Sequence, residues 1–173
     1  MKLVQWVRFT WELDKSPMLT AALPAHYSFA TATSADEKEL RMVIARCFAH
    51  DTAWFDATHE INRMLDGWMA LAFDPERHGI CLALRHGLRI IGAAILIPDP
   101  ATSEQFLPGP CVQMEYRNRG LGTALLRESL RQLQQAGLSR AAALTKGNAP
   151  VAKFLYPKFN GVLSSGETPL LAA

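Results

Sequence analysis

Alternating apolar and polar residues mark the first part of the chain. Over residues 2–13 the polar positions Arg8, Thr10 and Glu12 fall on one face, and apolar side chains fall on the other. A period of two with aromatic residues predicts a strand, with a short amphipathic helix as the alternative. The apolar face consists of Leu3, Val7, Phe9, Trp11 and Leu13.

Further strands are predicted where short apolar runs are bounded by turn residues. Residues 80–98 form two of them around a turn at His86 and Gly87. Residues 161–173 supply two short ones at the C-terminus. The other strand candidates are 27–33, 110–116 and 140–146.

Helical spacing predicts two helices between the second and third of these strands. Ser34 with Glu37 forms a capping box before the first, and the second runs over about 57–73. A third, short helix is predicted at 149–156. The apolar positions of the first helix are Leu40, Val43, Ile44 and Cys47, and those of the second are Ile61, Met64, Leu65 and Trp68.

The strongest helical pattern begins after Gly120. A leucine stripe recurs at helical spacing, and Gly137 stands where a glycine commonly ends a helix. Strands that alternate with helices predict an α/β domain. The stripe consists of Leu121, Leu125, Leu126, Leu130 and Leu133.

The size and charge of the chain narrow the kinds of protein it can be. We expect its 173 residues to form one domain (1–173), in which 1–25 are an N-terminal extension that adds a strand. The 49% of hydrophobic residues are typical of a globular enzyme and exclude a disordered chain. A net charge of +2 without clustered basic residues argues against nucleic acid as a partner.

The cysteines and the lengths of the apolar runs indicate in which cellular compartment the protein is expected. Cys47, Cys81 and Cys111 are far apart in sequence, so neither a disulfide framework nor a zinc site is predicted. The N-terminus lacks the unbroken apolar core of a signal peptide, and no run approaches the ~20 apolar residues that span a bilayer. We therefore expect a soluble cytoplasmic protein without a membrane partner.

The turn before the leucine-striped helix carries the clearest chemistry. In the stretch EYRNRGLGT, two arginines and two glycines stand between a strand and a helix. Helix N-termini offer unpaired N–H groups and a partial positive charge, and glycines let a phosphate approach the backbone. This predicts a diphosphate site, with a tight turn and solvated arginines as the alternative. The P-loop ending GK[ST] and the third glycine of the dinucleotide fingerprint are both missing, which disfavours ATP and NAD.

At this point the sequence resembles the GNAT superfamily of N-acetyltransferases. The family motif V-x-P-x-Y-R-x-x-G-x-G is matched except at Met114, where proline is usual. A second element, N-x-x-A-x-x-x-Y-x-K, follows at the expected distance. The matching residues are Val112, Tyr116, Arg117, Gly120 and Gly122 in the first motif, and Asn148, Ala152, Tyr156 and Lys158 in the second.

The resemblance implies the fold and the co-substrate. The fold would be GNAT-like, α/β or by some schemes α+β, with a central, mixed but mostly antiparallel sheet of about six to seven strands and about four flanking helices. Acetyl-CoA would be the donor, without a metal. The main chain of Val112 and Met114 would pair with the pantetheine arm, and Asn148 would hydrogen-bond it. The diphosphate would rest on the amides of Arg119, Gly120, Leu121, Gly122 and Thr123, helped by the side chains of Arg117 and Arg119.

The resemblance also implies the activity. The chain would transfer acetyl to a primary amine by direct attack in a ternary complex, the acceptor being a small molecule or a protein amino group. A non-catalytic acyl-CoA sensor of the same fold and an unrelated α/β nucleotide-binding domain are the alternatives. The oligomeric state stays open, with a homodimer as one option.

Tyr156 and Glu104 are the candidate catalytic residues. By the resemblance Tyr156 would protonate the departing thiolate, although Pro157 disfavours helical geometry at it and a packed aromatic is the alternative. Glu104 lies upstream of strand 110–116 and is a candidate general base, with a solvated loop residue as the alternative. The prolines of FLPGP predict an irregular entry to that strand. Candidates for the acceptor site, each with an ordinary structural alternative, are His50, Asp51, Trp54, Phe55, His59 and Trp68, whereas Glu115 is interpreted as structural.

Overall fold

The N-terminal alternation forms a strand, as predicted. In the computed structural model, which describes residues 5–15 and 17–165, strand β1 spans Trp6–Glu12. It lies in the middle of a three-stranded antiparallel sheet, between β6 (Arg140–Lys146) and β7 (Val162–Ser165). The extension therefore contributes a central strand to the fold. The second strand expected at the C-terminus falls on residues outside the described ones.

The other described strands form a second antiparallel sheet. Its order is β2 (Tyr27–Thr31), β3 (Ile80–His86), β4 (Arg89–Leu96) and β5 (Cys111–Val112). The predicted turn between β3 and β4 is present, and Gly87 has a φ of 60° there, a conformation that glycine adopts without strain. Both strands of that hairpin are confirmed.

Three α-helices cover the second sheet. The structure confirms α1 (Glu37–Ala49), α2 (Thr58–Ala72) and α3 (Leu121–Gln135), and the leucine stripe of α3 is buried. Gly137 has a φ of 95°, and the N–H of Leu138 bonds to the Leu133 carbonyl at 3.2 Å, which closes the helix as expected. The buried residues of α1 and α2 belong to one hydrophobic core and those of α3 to another.

Short helical turns fill most of the remaining connections. The helix predicted at 149–156 is present as a single π-helical turn, in which the Tyr156 N–H bonds to the Val151 carbonyl at 2.8 Å. The short helices are Ser34–Asp36, Thr52–Ala57, Met114–Tyr116, Val151–Leu155 and Lys158–Asn160.

The predicted capping box lies one residue earlier than expected. The Thr33 N–H donates to Asp36 Oδ2 at 3.0 Å, so Thr33 rather than Ser34 begins the helical segment. Glu37 instead accepts a hydrogen bond from Arg41 at 3.0 Å within α1. The shift follows from the 3₁₀ turn that precedes α1 and places Asp36 three residues after the cap.

The strand predicted over 110–116 is much shorter. Pairing with β4 ends after Val112 except for one bond from the Gln113 N–H to the Ile91 carbonyl at 2.9 Å. The Gln113 carbonyl then accepts from the Tyr116 N–H at 2.9 Å, which closes a 3₁₀ turn. Met114 and Tyr116 are therefore in a turn and not in the sheet.

The chain before β5 has the irregular course that its prolines predict. The Leu107 N–H bonds to the Ile95 carbonyl at 2.8 Å, and Cys111 pairs with Ala93. The segment advances four residues from Leu107 to Cys111, whereas β4 advances only two from Ile95 to Ala93. The segment before β5 therefore contains two extra residues, which bulge out around Gly109.

Gln105 links the two sheets. Its N–H donates to the Ala142 carbonyl at 2.9 Å, and its Oε1 accepts from the Ala142 N–H at 2.8 Å. Beyond this contact the bulged chain and β6 are not paired, so a gap opens between the sheets. Within the part of the chain that the structure describes, no helix combines the length and the apolar character that crossing a bilayer requires.

Candidate active site

A cavity of about 390 Å³ opens in the gap between the two sheets. The bulged chain forms one of its sides, and Leu144 and Thr145 of β6 form another. Residues of both hydrophobic cores reach it, so it connects the α3 side of the sheet with the α1–α2 side. The predicted catalytic and co-substrate residues that line it are Glu104, Val112, Arg117, Gly120, Gly122, Thr123 and Tyr156.

The glycine turn presents the N-terminus of α3 to this cavity. Gly120 is the N-cap of the helix and has a φ of 76°, in the left-handed region that glycine tolerates. A Cβ atom built on Gly122 would find only Leu155 Cδ2, 4.0 Å away. The space above the first amides of α3 is therefore open, and those amides are the ones that a helix leaves unpaired. The turn is suited to an anionic group such as a phosphate.

The two arginines of the turn differ in their surroundings. Arg117 Nε donates to the Val112 carbonyl at 2.9 Å, and its Nη2 donates to the Cys47 carbonyl at 3.1 Å. The guanidinium thus fastens the turn to β5 and α1, and the predicted contact of this side chain with the diphosphate stays a prediction. Arg119 is exposed, and its Nη2 donates to the Glu115 carbonyl at 3.2 Å.

Lys158 is a cation of this site to which the sequence analysis gave no role. Its Nζ donates to Thr123 Oγ1 at 2.7 Å, so it lies over the first turn of α3. It also lines the cavity and is exposed. The signal in the sequence was its place two residues after Tyr156 in the second motif.

The main-chain groups of Val112 face the gap between the two sheets. Successive peptide groups of a strand point to opposite sides, and the Gln113 N–H points to β4. The Val112 N–H is therefore expected to point away from β4, as its carbonyl does when it accepts from Arg117. This orientation suits the predicted pairing of Val112 with an extended ligand.

Tyr156 is buried between the N-terminal strand and the bulge. Its side chain is 2% exposed, and its ring packs edge-on against Phe9 and Trp11, with centroid distances of 5.5 and 5.4 Å. A Cβ built on Gly109 would lie 1.7 Å from the Tyr156 hydroxyl oxygen, so the phenol occupies the place that a side chain at 109 would take. Burial raises the pKa of Tyr156 above its usual value of 10, and the neighbouring charge of Glu104 adds to this effect. The phenol therefore holds its proton at neutral pH. Tyr156 keeps helical angles although Pro157 follows, and the π-helical turn ends before it.

Glu104 is not the solvated loop residue that the sequence left as an alternative. It is half-buried at the cavity, beside the unpaired edge of β6. Burial raises the pKa of Glu104 to about 7, against the opposite effects of the Arg8 guanidinium and of a hydrogen bond from the Leu144 backbone. A carboxyl group with this pKa exchanges protons readily near neutral pH, as a general base must.

The raised pKa of Glu104 predicts a pH-dependent stability. The folded-state pKa of about 7 lies above the ordinary value of 4.5, so the folded state binds this proton more tightly than the unfolded state. The stabilisation from that proton is present at low pH and is lost as the pH rises through 7. Glu104→Gln should therefore gain free energy of unfolding relative to the wild type between pH 5 and pH 8, by roughly 1–3 kcal/mol. Urea unfolding at the two pH values measures the gain, with the exposed Glu115→Gln as control; equal differences at both pH values would contradict it.

Four of the predicted co-substrate residues are not among those that line the cavity: Arg119 and Leu121, on either side of Gly120, and Met114 and Asn148. Met114 is exposed in its 3₁₀ turn, and its carbonyl accepts from the Arg117 N–H at 3.2 Å, so this carbonyl is already engaged within the turn. Asn148 is exposed and caps no helix, because the adjacent turn begins after Pro150. Met114 and Asn148 line no part of the cavity, and their contacts with the pantetheine arm stay predictions.

The candidates for the acceptor site divide in the same way. Trp54, Trp68 and Asp51 line the cavity from the α1–α2 side. His50 and His59 are exposed and do not line it, and neither does Phe55, which is 59% exposed. The aromatic candidates with an inward position are therefore the two tryptophans.

Comparisons with known proteins agree with this geometry. The model of the acetyltransferase (GNAT) family matches residues 38–161. A mycothiol acetyltransferase of Beutenbergia cavernae is 29% identical over 161 residues, which covers 91% of this chain and 50% of that protein. The chain therefore spans about half the length of this curated relative.

Solved structures show the same fold. A GCN5-related N-acetyltransferase from Sphaerobacter thermophilus superposes with a TM-score of 0.68 at 16% identity, covering 95% of this chain and 50% of that one. A GNAT family acetyltransferase from Brucella melitensis, solved in complex with acetyl-CoA, has a TM-score of 0.51 at 21% identity and covers 66% of this chain and 72% of that one. The predicted GNAT-like fold is confirmed, with its strands divided between two sheets that Gln105 links.

Proposed function

The chain belongs to the acetyltransferase (GNAT) family, and we propose that it transfers the acetyl group of acetyl-CoA to a primary amine by direct attack within a ternary complex. The observation that carries the proposal is the shared cavity, which is lined by the glycine turn of α3, by Glu104 and by Tyr156. A cavity reached from both sides of the sheet admits the donor from one side and the acceptor from the other.

The α3 turn would bind the diphosphate of the co-substrate. The amides from Arg119 to Thr123 and the ammonium group of Lys158 are the groups that fit it, and acetyl-CoA supplies the activated acyl group when bound. The Val112 N–H would hydrogen-bond the pantetheine arm or the thioester oxygen, which gains negative charge during attack.

Glu104 and Tyr156 would move the protons. An amine attacks a carbonyl carbon only through its neutral nitrogen, so Glu104 takes a proton from the amine, directly or through water. The new carbon–nitrogen bond forms while the carbon–sulfur bond breaks. Tyr156 gives its proton to the departing sulfur, and water carries the proton taken up by Glu104 back to the phenolate.

The function is tested by two measurements on the same protein. Titration calorimetry with CoA and acetyl-CoA should give saturable binding, and added primary amines should raise the release of free CoA above the rate without amine. Binding without amine-dependent release would favour the acyl-CoA sensor. A melting temperature raised by ATP or NAD and unchanged by CoA would overturn the assignment.

Filling the open space above α3 should abolish the binding of CoA. Gly122→Val places a side chain where only Leu155 approaches within 4.0 Å, so the free protein accommodates it and the diphosphate does not. We expect the Kd for CoA to rise by roughly 10- to 100-fold, as for a side chain forced into an occupied space. Gly67→Val in α2 is the matched control, since a Cβ there meets nothing within 4 Å and the residue lies outside the cavity wall. Equal CoA affinity in both variants would place the diphosphate elsewhere.

A further inference from the structure

Four aromatic rings form a continuous surface on the α1–α2 side of the cavity. The Trp54 ring stands edge-on to Trp6 and Phe48, with centroids 5.7 and 5.4 Å apart. Phe48 in turn lies 6.0 Å from Trp68. All four residues line the cavity, and we refer to Trp6, Phe48, Trp54 and Trp68 as the aromatic wall.

The aromatic wall is held in place by its surroundings. Trp54 and Trp68 are each 7% exposed. The Lys146 ammonium lies 4.9 Å from the centroid of the Trp54 ring, and it is fixed by Asp56 at 2.8 Å and by the Ala53 carbonyl at 3.1 Å. A preformed apolar surface binds a ligand without a large ordering cost.

The cavity has few groups that could pair with a second charge on the acceptor. Of the described residues that line it, Asp51 and Glu104 carry carboxyl groups, and one Asp51 oxygen already accepts from the Ala53 N–H at 3.0 Å. The cations are Arg117, which is engaged with two carbonyl groups, and Lys158 over the α3 turn. A charge buried without a partner is costly, so polyamines and amino-acid carboxylates fit this side poorly.

We propose, on the basis of the function inferred above, that the acceptor is a primary amine whose short linker carries an aromatic or similarly bulky apolar group and no second charge. The apolar group packs on the aromatic wall, and the nitrogen lies toward Glu104.

A panel of amines compared at saturating acetyl-CoA tests this acceptor class. Phenethylamine is compared with ethylamine, which lacks the ring, with phenylalanine, which adds a carboxylate, and with spermidine, which adds charges. We expect kcat/KM for phenethylamine to exceed each of the others by about 10- to 100-fold, the effect of burying one aromatic group.

Variants of the wall identify the surface responsible. Trp68→Ala should lower kcat/KM for phenethylamine about 10-fold or more, leave that for ethylamine within about 3-fold, and leave the Kd for acetyl-CoA unchanged. Phe55→Ala, which removes an exposed aromatic ring outside the cavity, is the matched control. If Trp68→Ala does not fold, as judged by lost acetyl-CoA binding, the partly exposed Trp6→Leu variant is held to the same criterion.

The outcomes separate the two proposals. The acceptor class is supported if kcat/KM is highest for phenethylamine and if this preference is reduced in the wall variant. CoA release as fast with ethylamine, phenylalanine or spermidine as with phenethylamine overturns the acceptor class alone. Bound acetyl-CoA without release by any amine overturns the proposed transfer reaction, and this inference with it.

Discussion

Replacing Glu104 by glutamine is expected to lower kcat about 100-fold, because proton removal by a positioned base typically contributes about 10²–10⁴-fold. The loss should also depend on pH. Glu104 has a pKa of about 7 and acts as a base only when ionised, so its contribution is small at pH 5.5 and complete above pH 8. The ratio of wild-type to variant kcat/KM should therefore rise as the pH passes through 7.

The measurement is a pH series of CoA release with one amine, in which the titration of the amine itself cancels in the ratio. Glu115→Gln is the control, since Glu115 is an exposed carboxylate near the α3 turn that does not line the cavity. A variant-to-wild-type ratio that stays constant across this range would exclude Glu104 as the base and leave a water chain in that role.

The bulge before β5 explains how one short segment builds the centre of the site. Two extra residues push the chain out of register with β4, which separates it from β6 beyond Gln105. Gly109 lies at this point without a side chain, and the Tyr156 hydroxyl occupies the space that a Cβ would fill. The same separation leaves the backbone of Leu144 free to bind Glu104. An irregularity that weakens the sheet thus positions both catalytic candidates.

Local patterns were sufficient for most of the secondary structure. The leucine stripe and Gly137 predicted α3, and the His86–Gly87 turn predicted the β3–β4 hairpin. Both predictions succeed because each pattern lies within the element that it defines. The glycine turn was predicted for the same reason. Gly120 has a left-handed φ within that turn, a conformation that glycine tolerates.

Sequence-based prediction fails or falls short at residues whose conformation or environment depends on contacts with distant parts of the sequence. Met114 was expected in a strand, but the Arg117 guanidinium bonds to Val112 and to Cys47, which is 70 positions away, and the chain turns after Val112. Glu104 likewise lies beside Arg8 and the Leu144 backbone, which are far away in sequence and lower its pKa against the larger effect of burial. The local sequence shows a carboxylate in a loop, whereas its pKa is raised by the burial that the folded protein imposes.

Replacing Tyr156 by phenylalanine is expected to lower kcat about 100-fold while the Kd for acetyl-CoA changes less than about 3-fold. The variant removes only the hydroxyl, and the ring keeps its edge-on contacts with Phe9 and Trp11, so the fold is retained. The lost group is a protonated phenol at the cavity, whose pKa is raised by burial, and it would otherwise protonate the departing thiolate.

Stopped-flow or steady-state CoA release, with calorimetry for binding, measures both parts of this prediction. Tyr116→Phe is the matched control, because the Tyr116 hydroxyl lies 3.4 Å from His86 Nδ1, away from the cavity. If Tyr156→Phe turns over as fast as Tyr116→Phe, the thiolate leaves without help from tyrosine, and the burial of Tyr156 against Gly109 serves packing alone. If kcat falls and binding is intact, the phenol acts on the chemical step, since a structural defect would weaken both.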